Sequence, residues 1–231
     1  MPGEDLFVIK ASGVAYDDLT WRSVVVCDLD GTPVDGEMSP SSDTAAAAYV
    51  YREMPEVNGV VHTHSRYATA FAARNESIPC VLTAMADEFG GEIPVGPFAL
   101  IGDDSIGRGI AETLAHSRSK AVLMANHGPF TVGKNARAAV KAAAMCEEVA
   151  CTVHMARQGG AVHPIDQSDI DSLFDRYQIA YGQHRSRRCR PRSTGVHRSR
   201  APVPTAPDTG ARVTPEADPR LHHPSQQGRR R

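Results

Sequence analysis

Gly59-Val60-Val61-His62-Thr63-His64, running on as Ser65-Arg66-Tyr67-Ala68-Thr69-Ala70-Phe71-Ala72, joins a β-branched entry, two histidines and a helix-forming stretch. Val60 and Val61 read as a strand, so His62 and His64 stand at i and i+2 near its end with both rings on one face. A second apolar run, Ala121-Val122-Leu123-Met124-Ala125, leads into Asn126-His127 just before Gly128-Pro129, which reads as a buried strand ending at a turn. Polar groups at strand ends line the ligand crevice of open sheets. An HxH pair alone is as readily two ordinary half-buried histidines. A third imidazole at a matching strand end, with no cysteine pair to close a structural site, describes a metal centre that keeps one position open, as catalytic zinc does.

Outward from these runs the chain alternates between strand-like and helix-like stretches. Residues 6–9 and 23–27 read as strands, with Asp30-Gly31 as a hairpin turn between Leu29 and Pro33. A helix follows from Ser42-Asp43-Thr44 to about Glu53, where Ser42 or Asp43 can cap the free amides. Further helices are expected over 67–74, from Asp103 to about His116, over 135–158 and over 168–181. A strand pair is expected around Ile93 and residues 98–101, and strands over 121–125 and 129–133. Several inter-strand links are too short for a crossover helix, so the expected architecture is an α/β sandwich with much hairpin pairing.

Composition divides the 231 residues in two. From His184 onward there are twelve Arg against three acids, seven Pro, and no Phe, Tyr, Trp, Ile or Met. Residues 1–183 carry 13 basic and 24 acidic side chains, so the net charge of −2 hides an acidic body and a basic tail. Such a tail buries too little apolar surface to offset its ordering entropy, and it reads as disordered. Charge alone specifies a nucleic-acid or anionic partner weakly; without stacking aromatics or a repeat, a dispensable extension is the reading. The five cysteines form no CxxC pair, which fits a reducing compartment. No stretch is apolar over a membrane-spanning length and the N-terminus lacks a signal pattern, so the expectation is a cytoplasmic protein without a membrane partner.

Other groups suit chemistry beside a metal. Ser39-Pro40-Ser41-Ser42-Asp43 opens a helix, where amides and hydroxyls converge on an anion. Ser12-Gly13 offers a second small-residue turn, and a phosphate fits between the two; either alone is also a plain turn or cap. Asp43 alternatively supplies a carboxylate as a fourth metal ligand. Asp87 falls between expected elements, and Tyr181 stands near the end of the ordered core.

Six separated segments together resemble a known family: FVIKASGVAY (7–16), SPSSDT (39–44), GVVHTHSRYATAFA (59–72), TAMADEFGG (83–91), NHGPFTVGKNARAAV (126–140) and AYGQ (180–183). In order and spacing they are similar to the class II aldolase/adducin-like superfamily, on its sugar-phosphate 4-epimerase branch, from about Asp5 to Gln183. The resemblance implies a three-layer class II aldolase-like sandwich with a central, mainly antiparallel sheet flanked by helices, filling residues 1–183. It implies Zn²⁺ held by His62, His64 and His127 with Asp43 as an additional ligand. Ser12, Gly13, Ser41 and Ser42 match substrate- and phosphate-binding positions. Asp87 and Tyr181 match an acid/base pair, the tyrosine crossing a subunit interface of a homotetramer.

The implied reaction inverts C4 of a pentulose phosphate, in arabinose-type catabolism. Direct deprotonation of C4 would remove a non-acidic proton, whereas retro-aldol cleavage of C3–C4 needs only a Lewis acid to stabilise the charge that develops. Two acid/base groups then serve the C4 oxygen from opposite faces. Two departures stand beside the matches. The family's N-terminal helix and Gly-Asn turn, which help to hold the phosphate, are expected to be missing here. Met85 stands where some epimerases have a histidine. Superfamily aldolases generally carry Glu in place of Asp43, which with the AYGQ ending favours an epimerase over an aldolase that releases an aldehyde. A non-catalytic adducin-type interaction protein is the remaining alternative.

Overall fold

The computed structural model describes residues 4–180. Tyr181 and the Arg-rich stretch 184–231 lie outside the described residues.

Three strands open the chain: β1 (Leu6–Lys10), β2 (Val24–Asp28) and β3 (Pro33–Asp35), paired antiparallel in that order. The β2–β3 link is the expected Asp-Gly turn, closed by Asp28 Oδ1, which accepts from the Asp30 and Thr32 amides at 3.0 and 2.8 Å. Helix α1 (Thr44–Glu53) then leads to β4 (Gly59–His62) and α2 (Arg66–Ala73). After α3 (Thr83–Phe89) come β5 (Val95–Gly96), α4 (Ser105–Leu114), β6 (Ala121–Met124) and β7 (Gly128–Gly133), and the long α5 (Ala136–Gln158) and α6 (Gln167–Ala180) close the described chain.

The second sheet runs β4-β7-β6-β5, antiparallel except for β5 beside β6. All of β6 and β7 is buried, and β6 accordingly reads as an unbroken apolar run. One core packs Phe71, Phe89, Ile93 and Leu123 against the inner face of α5. Another packs Val50, Ile106, Ile110 and Phe130 between α1, α4 and the sheet. The mixed α/β fold with mainly antiparallel sheets flanked by helices is therefore as the sequence implied, with the strands divided between two hydrogen-bonded sheets.

Two local expectations are corrected. Residues 98–101 form no strand: Phe98, Leu100 and Ile101 are 61%, 72% and 58% exposed. The strand lies earlier, where Val95 and Gly96 pair with Leu123 and Met124, and Ile93 makes only an isolated bridge to Ile78. Residues 83–89 are a helix that went unread, since no side chain caps its start at Leu82. Gly90 ends it at φ 65°, the left-handed stop that glycine permits. Asp87 therefore stands on a helix rather than between elements.

Candidate active site

The geometry around the histidines begins with strand register. His62 pairs with Phe130 across β4–β7, and its ring stacks on that phenyl at 4.0 Å between centroids, 14° from parallel. His62 Nδ1 lies 3.0 Å from the Pro129 carbonyl oxygen. A carbonyl only accepts, so Nδ1 carries the proton and Nε2 keeps its lone pair. That Nε2 sits 3.0 Å from His64 Nε2. The β6–β7 turn supplies the third ring, with Asn126 at φ 57° and the His127 amide bonded to the Met124 carbonyl at 3.0 Å. Gly128 lets this turn close on the HxH segment, because a Cβ there would meet Thr63 O at 2.9 Å.

One ligand atom from each of His62, His64 and His127 falls within 4.8 Å of the others. His127 Nδ1 is buried without a hydrogen-bond partner among the described residues, an orphan that normally finds a partner. Burial pushes the His62 imidazole down to about 4, against the opposing pull of the Asp43 carboxylate and the Pro129 hydrogen bond. Burial also lowers His127, again opposed by Asp43. Converging imidazoles beside a carboxylate, two of them held toward the neutral form by burial, suit a divalent cation, and the donor set fits zinc.

Asp43 occupies the N-cap position of α1 yet makes no capping bond. The expected cap is thus a correction: the Asp43 amide donates to Ser41 Oγ at 3.3 Å and the Thr44 amide to Ser41 O at 3.1 Å. Among the described residues the carboxylate is left with a 3.5 Å contact from Ser41 Oγ, and it lies near enough to His62 and His127 to act on both electrostatically.

Beside this cluster lies a cavity of about 440 Å³ walled by Lys10, Ser12, Gly13, Ser41, Ser42, Asp43 and His62 among others. The two small-residue turns meet because their segments lie antiparallel: Ala11 bridges Pro40, the Ser12 amide donates to Ser39 O at 2.9 Å and the Ser41 amide to Lys10 O at 3.0 Å. Gly13 takes φ 71° with open space around it, so backbone can approach a ligand closely. Lys10 puts a cation on the same wall, held by Ala11 O at 2.9 Å. It stands two residues before Ser12 and was not singled out, because one lysine in a strand carries no signal by itself.

Asp87 does not line this cavity. Its carboxylate, 19% exposed, pairs with Arg176 of α6 at 3.2 Å. The three histidines thus converge on one point; Asp43 stands outside that group but lines, with His62 and all four expected substrate-binding positions, one cavity, which Asp87 does not line.

The model of the class II aldolase and adducin N-terminal domain family matches residues 1–154. The chain is 40% identical to the L-ribulose-5-phosphate 4-epimerase UlaF of Salmonella paratyphi B, over 74% of this chain and 79% of that protein. The UlaF of Salmonella paratyphi C matches at the same identity and coverage. Among solved structures, an L-fuculose 1-phosphate aldolase superposes with a TM-score of 0.71 at 24% identity, covering 76% of this chain and 81% of that one. At that identity the structural likeness speaks for the fold alone. No helix among the described residues is long and apolar enough to cross a membrane. A family model spanning more than half of the chain, joined to a relative at this identity, shows that the chain belongs to the class II aldolase and adducin N-terminal domain family.

Proposed function

We propose that this protein is a zinc-dependent L-ribulose-5-phosphate 4-epimerase that interconverts L-ribulose 5-phosphate and D-xylulose 5-phosphate in the cytoplasm, as a step of arabinose-type catabolism. The observation that carries the reading is one cavity walled by both Asp43 with His62 of the imidazole cluster and the paired turns Ser12-Gly13 and Ser41-Ser42. The name of the relative at 40% identity supports the substrate.

His62, His64, His127 and Asp43 would hold the zinc, which supplies a Lewis acid for the charge that develops when the C3–C4 bond breaks. Lys10 and the turns at Ser12-Gly13 and Ser41-Ser42 hold the phosphate. That grip keeps the two-carbon aldehyde fragment in place while its carbonyl turns over, and the bond re-forms on the opposite face. One acid/base group removes the proton of the C4 hydroxyl as the bond breaks. The other returns a proton to that oxygen when the bond closes on the new face. Asp87 and Tyr181 are the pair assigned to these steps. Because Asp87 does not line the cavity of its own chain, we read the site as completed by a neighbouring copy in a homotetramer. Residues 1–183 form the catalytic domain in this reading, with 184–231 outside it.

Purified protein is expected to carry about one zinc per chain and to interconvert the two pentulose phosphates. Metal-replete protein without that activity contradicts the proposal, and steady release of free aldehyde identifies an aldolase instead.

A further inference from the structure

Consecutive residues of α3 are gripped by consecutive residues of α6. Arg176 Nη2 reaches both oxygens of Asp87, at 3.2 and 3.4 Å. One position on, the Tyr177 hydroxyl donates to Glu88 Oε2 at 3.1 Å. Glu88 is 2% exposed and is also met by Lys120 Nζ at 3.4 Å and by Lys141 of α5. A buried carboxylate facing two ammonium groups and a phenol is a fixed point, since moving it would strand charge in the core. Elsewhere α6 is tied by Arg118–Asp171 at 2.7 Å and by Phe174, which sits where a Cβ at Gly90 would be, 2.8 Å away.

The anchoring of α6 is thus carried by Ile170, buried in the core with Leu173 packed beside it, and by Phe174 and Tyr177. Arg176 adds a half-exposed ion pair, which contributes little to stability. What it does instead is fix the carboxylate of Asp87, and we infer that Arg176 is a positioning residue for that acid/base group, with α6 as the brace. The inference rests on the reading of Asp87 given above. Its physical basis is that a proton-transfer group must be held in a narrow geometry to act, and among the described residues of α3, α5 and α6 Arg176 is the one side chain that bonds this partly exposed aspartate. The same helix ends at Ala180, one residue before Tyr181 in the sequence.

The test is a double-mutant cycle in the zinc-loaded full-length chain. Arg176→Gln is expected to lower kcat about 10-fold or more with KM and melting temperature unchanged, and Arg176→Lys to recover part of the loss. In an Asp87→Asn background, Arg176→Gln is expected to cost nothing further, because both act through one group. A full additional loss there, or wild-type kcat in Arg176→Gln beside a crippled Asp87→Asn, overturns the inference and leaves Asp87 in its role. Wild-type kcat in Asp87→Asn removes the role of Asp87 and the inference with it. Independently of turnover, a crystal structure of Arg176→Gln is expected to show the Asp87 carboxylate displaced while Tyr177 stays on Glu88; an unmoved Asp87 overturns the inference.

Discussion

His62 Nδ1 and the Pro129 carbonyl oxygen lie 3.0 Å apart across the β4–β7 pairing. That single contact joins fold to chemistry. It uses the strand register to fix the tautomer of an imidazole whose other nitrogen faces His64, so a lone pair is aimed before any cation arrives.

Asp43 tests how far the ligand set extends. Its carboxylate makes no capping bond on α1, so Asp43→Ala should change thermal stability little. Zinc content measured by atomic emission should fall well below one per chain. Wild-type zinc content would remove Asp43 from the ligands.

Tyr181→Phe tests the second member of the proposed acid/base pair. Folded, zinc-loaded protein is expected, with turnover lower by ~10²-fold or more. Near-normal turnover would take Tyr181 out of the mechanism.

Gly128→Ala inserts a methyl 2.9 Å from Thr63 O and 3.3 Å from His64 Cδ2. The turn carrying His127 must then move away from the HxH segment, at a cost of about 1–3 kcal/mol. Differential scanning calorimetry should show a lower melting temperature and metal analysis a weaker zinc site; an unchanged protein would mean the turn is more compliant than its contacts imply.

The alkaline limit of stability should carry the mark of a buried thiol. Burial pushes Cys146 up to about 12 and Cys80 up to about 11, from an ordinary 9.0. Above about pH 9 these thiols ionise in the unfolded chain but not in the folded one, so the unfolded state binds fewer protons and stability falls as pH rises. Between pH 8 and 10.5 the melting temperature of wild-type protein should drop more than that of Cys146→Ala. Parallel curves would refute the assignment.

The convergence of His62, His64 and His127 was legible in the sequence because strand ends and HxH spacing are local signals, and β4, β6 and β7 fall where periodicity puts them. The convergence of Ser12-Gly13 with Ser41-Ser42 was a guess from residue type. What realises it is the Ala11–Pro40 bridge, a long-range pairing that local pattern does not encode. Lys10 and Arg176 were missed for the same reason, since each gains meaning only from the element opposite. Helix α3 is hard to read from sequence because it is only seven residues long and no side chain caps its start at Leu82. The strand expected at 98–101 failed because apolar side chains there stay exposed, and hydropathy alone does not say which apolar run finds a pairing edge.

In the proposed reaction C4 is inverted by breaking and remaking a carbon–carbon bond in the cavity beside the three histidines. Running the zinc-loaded protein on L-ribulose 5-phosphate in D₂O and examining the product by ¹H NMR tests it most directly. Retro-aldol cleavage never breaks the C4–H bond, so D-xylulose 5-phosphate should keep its hydrogen at C4. Deuterium at C4, or no product at all, would contradict the account.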